Sequence, residues 1–139
     1  MNLFEEFVQK WEAYLNQDPV IQERTAHFKS TLAEEKALVE LEVEGNGVLT
    51  VERKGRKFEI RRDKASLPLL SWKVPLSLFK EVLLGKERIL YALLDKRCKL
   101  SFDTPNFSHW NGVTALEIIL SACEMVRKSP EMKRLAEEL

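Results

Sequence analysis

The sequence predicts an α+β fold, and three observations point to it. Residues 37 to 62 alternate apolar and polar side chains through two glycine-bearing turns, the pattern of a three-stranded antiparallel meander. Two more alternating runs, around Leu70–Val74 and Cys98–Phe102, flank a stretch of helical periodicity, so two further strands are joined by a helical crossover. Helical periodicity also opens and closes the chain. With 139 residues and 16.2 kDa, all of it (1–139) reads as one domain, long enough to bury about two-thirds of its unfolded surface.

Each element has its own signal. Leu3, Phe4, Phe7, Val8, Trp11 and Leu15 share one helical face; Asn2 is the expected N-cap and Glu5 holds the capping-box position. Asn16-Gln17-Asp18-Pro19 ends this helix, because the residue before proline avoids the helical region. A second helix is expected over 19–32, with Pro19 in its first turn and Val20, Ile21, Phe28 and Leu32 as its apolar residues. Ala37, Val39, Leu41 and Val43 then mark the buried side of a strand. Gly45-Asn46-Gly47 turns the chain, Val48–Arg53 returns, Lys54-Gly55 turns again, and Arg56–Arg62 forms the third strand.

Placing Glu44 opposite Val48 and Arg53 opposite Arg56 keeps the apolar residues of both hairpins on one face and sets Glu52 beside Lys57; a one-residue slip destroys the agreement. Further on, Pro75 opens a helix to about Leu84, with Leu76, Phe79, Val82 and Leu83 as its stripe and Gly85 as its stop. Ile89, Leu90, Leu93 and Leu94 mark a second short helix. Thr104-Pro105-Asn106 breaks the fifth strand. A long helix is expected from Gly112 to Arg127, and Pro130 starts a short one over about 130–139.

Composition excludes several function classes. Lys+Arg and Asp+Glu both number 22, so the chain is no general polyanion binder, and no nucleic-acid partner is expected. Cys98 and Cys123 make neither a disulfide framework nor a zinc site, and His27 and His109 have no ligand at metal spacing, so no metal and no cofactor is expected. Gly45-Asn46-Gly47 lacks the following helix a phosphate loop needs. Glu40, Glu42 and Glu44 are a solvated sheet face more simply than an acid/base pair. No catalytic constellation is recognisable; the residues nearest to one are Asp103, His109 and Cys98 around the end of the fifth strand. The acidic start resembles no secretory signal, and no run is apolar enough to span a bilayer, so the expected compartment is the cytoplasm. Residues 53–64 carry seven basic side chains. They suit an edge strand that resists aggregation, and they also suggest a weak contact with anionic membrane through Arg53, Lys54, Arg56 and Lys57, at about 1 kcal/mol per basic residue at most.

The long helix carries the strongest functional signal. Thr114, Glu117, Ser121, Glu124 and Lys128 form one narrow polar stripe, and apolar residues fill the remaining two-thirds or so of the circumference, well beyond the stripe of about 100° an ordinary surface helix buries. Such a helix is either wedged between sheet and first helix, or lays one flank on the sheet and uses the other for a hydrophobic ligand or a subunit interface. The expected ligand-binding residues are Trp72, Phe79, Leu83, Phe102, Trp110, Leu116, Ile119, Leu120 and Cys123. The alternative is an interaction module whose extra flank forms a homodimer or meets a partner protein.

The order of elements resembles the sterol carrier protein type-two family, most closely through Pro75-Leu76-Ser77-Leu78-Phe79-Lys80-Glu81-Val82-Leu83-Leu84-Gly85-Lys86, Ala92-Leu93-Leu94 and Lys99-Leu100-Ser101-Phe102-Asp103, over residues 36 to 128. Asp95-Lys96-Arg97 stands where the family usually has glycine before its last strand. The resemblance implies a mixed five-stranded sheet with helices packed on one face. It also implies an apolar tunnel between them for a fatty acyl or sterol-like lipid, held without a chemical step.

Overall fold

Helix α1 (Leu3–Gln17) starts at Asn2, whose Oδ1 accepts the Glu5 amide at 2.8 Å, and stops at Asp18, ahead of Pro19 and α2 (Pro19–Arg24). Its apolar stripe, Phe4, Phe7, Val8, Trp11 and Leu15, is buried, as its spacing predicts. The computed structural model describes residues 2–24, 38–64, 68–102 and 109–139, with no side chains for 109–114. The remainder of the second helix with His27, Phe28 and Leu32, the strand-leading Ala37, and the Asp103 to Asn106 break lie outside the described residues.

Five strands follow: β1 (Val39–Val43), β2 (Gly47–Lys54), β3 (Lys57–Arg61), β4 (Leu70–Val74) and β5 (Lys99–Phe102). They form one sheet in the order β3-β2-β1-β4-β5. Only β1 and β4 run parallel.

The meander is present, but both hairpin registers differ from the expected ones by two residues. Val43 faces Gly47 and Leu41 faces Leu49; across the second turn Val51 faces Ile60 and Arg53 faces Phe58. The turns decide this. The first closes on Val43, whose carbonyl accepts the Asn46 amide at 2.9 Å, with Gly45 and Gly47 at φ 83 and 77. The second is the pair Gly55-Arg56, with Gly55 at φ 64 in the left-handed region glycine tolerates. An even shift leaves every side chain on its expected face.

It does change the charge pairs. Glu52 faces Glu59 instead of Lys57. The two carboxylates are balanced diagonally, by Arg61 at 2.6 Å from Glu52 and Lys54 at 3.6 Å from Glu59. Arg53 turns to the helix side, 7% exposed, with its guanidinium 5.6 Å from the Phe58 ring centre. It is therefore buried packing, which corrects its expected place in a membrane contact.

Four helices complete the chain: α3 (Leu76–Leu83), α4 (Ile89–Leu94), α5 (His109–Lys128) and α6 (Pro130–Glu138). Helix α5 begins before the expected Gly112. Ser129 caps α6 by accepting the Met132 amide, and Pro130 takes the first turn. The helices pack on one side of the sheet, over Val39, Leu41, Val43, Leu49, Val51, Phe58, Leu70, Trp72 and Val74, all buried. The opposite face carries Glu40, Glu42, Glu52, Glu59, Arg61 and Lys73, the solvated face the alternation predicts.

The two sheet edges are treated differently. Along β3, α1 supplies side-chain partners for the free backbone. Asn16 accepts the Phe58 amide at 2.8 Å and donates to its carbonyl at 2.9 Å, while Glu12 accepts the Ile60 amide at 2.7 Å. At β5 the burial is less complete. Phe102 pairs with Leu70 and Leu100 with Trp72, so both lie on the helix-facing side, yet Phe102 is 39% exposed while Leu70 is fully buried.

Candidate functional site

The expected ligand-binding residues separate into two groups. Trp72 and Phe79 join an aromatic cluster that fills the space between sheet, α1 and α3. Their ring centres lie 5.9 Å apart, and Phe79 meets Phe7 edge-on at 6.1 Å and Phe4 at 6.4 Å. Leu83 and Ile119 are buried with them. The Trp72 indole N–H is buried and has no hydrogen-bond partner among the described residues. The second group is accessible: Leu116 and Cys123 are half-buried, and Leu120 and Phe102 are exposed. Leu83 and Cys123 also meet in a shallow groove of about 220 Å³ between the end of α3, α5 and Lys133 of α6. The Trp110 side chain lies outside the described residues.

Helix α5 is oriented in a way its composition conceals. Residues along a helix advance by about 100° each, so Leu116, Leu120, Cys123 and Arg127 form one stripe. That stripe is the outward one. The polar stripe, by contrast, faces the first two helices. Ser121 is buried and its Oγ accepts the Trp11 Nε1 hydrogen at 2.9 Å, and Arg24 lies 3.3 Å from Glu117. The Tyr14 hydroxyl donates to Glu124 at 3.0 Å, and Lys128 donates to the same carboxylate at 2.7 Å. The Lys128 hydrogen bond lowers the Glu124 carboxyl below its ordinary range, while burial, then the Glu124 bond, raises the Tyr14 phenol. The helix thus has two sides besides its sheet contact: a polar one bound to α1 and α2, and an apolar one on which Leu120 is exposed and Leu116 and Cys123 are partly buried.

Burial pushes the Cys123 thiol up to about 11, so it is protonated at neutral pH and a poor nucleophile. Among the described residues no group of three His, Cys, Asp or Glu side chains is placed to hold a metal. No helix among them is long and apolar enough to cross a membrane.

A larger cleft, about 650 Å³, was not anticipated from the sequence. It lies at one end of the sheet, between the β1–β2 turn, the end of β4 and the segment joining α4 to β5. Glu42, Glu44, Lys73, Lys96, Arg97, Cys98 and Lys99 are among its lining residues. The signal available in advance was the basic run Lys96-Arg97-Cys98-Lys99, whose convergence with Lys73 requires β5 to lie beside β4.

A five-stranded mixed sheet in this strand order with helices packed on one side is the architecture of the sterol carrier protein type-two fold. Solved structures similar to the chain carry that description. "UbiJ-SCP2 Ubiquinone synthesis protein" is 9% identical, covers 91% of this chain and 92% of its own, and superposes with a TM-score of 0.59. Sterol carrier protein 2 is 16% identical, with 86% and 95% covered and a TM-score of 0.59. The sterol carrier protein domain 2 of Helicoverpa armigera is 12% identical, with 88% of each chain covered and a TM-score of 0.57. The sequence matches no family model and no curated protein. At these identities the likeness is one of fold.

Proposed function

We propose that the protein holds a hydrophobic molecule, a fatty acyl or sterol-like lipid, against the open apolar side of α5 and the β5 edge, without a chemical step. One observation carries this reading: the apolar face of the sheet continues onto Leu100 and Phe102, where Phe102 is 39% exposed, and α5 turns Leu116, Leu120 and Cys123 outward instead of its polar stripe. Burying such surface under an apolar chain is favourable by roughly 25 cal/mol per Å². Neighbours in fold named as sterol carrier proteins support the ligand class. Trp72, Phe79, Leu83 and Ile119 form the floor; Phe102, Leu116, Leu120 and Cys123 make the contact.

Protein extracted with organic solvent is expected to release lipid detectable by mass spectrometry, and delipidated protein to bind a fluorescent fatty acid. Leu120→Asp and Phe102→Ser replace side chains that are 45% and 39% exposed, and each is expected to weaken binding by about tenfold or more while circular dichroism stays that of the unaltered protein. Wild-type affinity in both variants, or no binding by the unaltered protein, would overturn the proposal.

A further inference from the structure

We infer that α4, with the basic residues at its two ends, is the surface by which this protein docks on an anionic lipid bilayer. The surface chemistry carries this independently of the ligand reading above. Leu94, Leu90 and Tyr91 are 77%, 69% and 55% exposed, more than any other large apolar side chain among the described residues. Leu90 and Leu94 stand one turn apart, opposite the fully buried Ala92, so they project from the molecule together.

The charge around them is positive on balance. Segment 86–99 holds Lys86, Arg88, Lys96, Arg97 and Lys99 against Glu87 and Asp95. Arg97 engages both carboxylates, at 2.8 Å and 3.2 Å. Lys86, Arg88, Lys96 and Lys99 are exposed and have no ion-pair partner among the described residues. In a chain of zero net charge this is a local surplus of positive charge around an apolar tip. Lys96 accentuates it. It follows the end of α4 with φ 58, a backbone position glycine adopts without strain, and so sets a cation two residues after Leu94. Beside the tip, the cleft of about 650 Å³ is lined by Lys96, Arg97 and Lys99 together with Glu44 and the Lys73–Glu42 pair, so its unpaired cations, Lys96 and Lys99, lie on the side nearest the tip.

Size decides between a bilayer and a protein partner. A stable protein interface buries about 800 Å² on each side, which three side chains on a six-residue helix do not supply. Bilayer docking needs only shallow insertion of apolar side chains together with attraction between basic residues and anionic lipid. The basic 53–57 hairpin offers charge without such a tip: Arg53 is buried, and Lys54, Arg56 and Lys57 flank no exposed apolar side chain.

Vesicle sedimentation tests this. The protein is expected to sediment with phosphatidylcholine vesicles containing phosphatidylserine, not with phosphatidylcholine alone, and to be released by high salt. Leu90→Ser with Leu94→Ser should lower the partition by about tenfold or more. Lys96→Gly should lower it too while the melting temperature holds or rises, because glycine relieves the backbone; this separates docking from misfolding. The inference is overturned if the unaltered protein ignores anionic vesicles, or if the double leucine variant partitions normally. It is also overturned if Lys54→Ser with Lys57→Ser abolishes binding that the leucine variant retains, or if light scattering finds a dimer that the leucine variant dissociates. Fluorescent fatty-acid binding is read on the same proteins: vesicle binding without fatty-acid binding supports the docking surface and overturns the ligand reading alone.

Discussion

Ser121 illustrates what a residue's type can hide. By spacing it belongs to a polar stripe, and a polar stripe ordinarily faces water; here it is 2% exposed and satisfies the indole of Trp11. Its neighbours Glu117 and Glu124 engage Arg24 and Tyr14, so Glu117, Ser121 and Glu124 all bind the first two helices. Ser121→Ala removes the acceptor and leaves a buried N–H without a partner, which costs about 1–3 kcal/mol. Urea denaturation should place the midpoint correspondingly lower with the slope unchanged. Residue identity predicted the stripe but not its direction, because the partners Trp11 and Tyr14 come from an element more than a hundred residues away.

Among elements, legibility followed the range of the forces involved. Helix α1 was readable from cap to stop because Asn2, the apolar spacing and Pro19 are all local. The hairpins were readable in face and misjudged in register. An alternating pattern is unchanged by a two-residue shift, so only the turn backbone distinguishes the two registers, and that depends on which residue takes positive φ. Gly55→Ala tests this directly. A Cβ there meets nothing within 4 Å, so the cost is backbone strain alone, about 1–2 kcal/mol, read as a lower melting temperature without loss of β circular dichroism. Helix α4 was predicted from its periodicity, but half of that periodicity is exposed: Leu90 and Leu94 were expected in the stripe, and only Ala92 is fully buried.

For the molecule as a whole, Phe79 is the keystone of the packing, touching rings from α1 and from the sheet. Phe79→Ala would open a cavity among Phe4, Phe7 and Trp72 and is expected to cost about 3–5 kcal/mol, measurable by thermal and urea unfolding. This is a larger loss than any substitution on the open flank of α5 should cause, and the contrast separates core from binding surface.

The α+β class, the meander, the crossover and the over-apolar late helix were determined by the sequence itself, since periodicity and turn residues act over a few positions. Which expected lining residues became core and which stayed accessible was decided only by tertiary structure. The same holds for the sealing of one sheet edge by Glu12 and Asn16, the exposure of α4, and the gathering of four cations at the end of the sheet. Each of these depends on how elements distant in the chain cover one another, and a pattern of apolar residues records that a side chain can be buried, not what arrives to bury it.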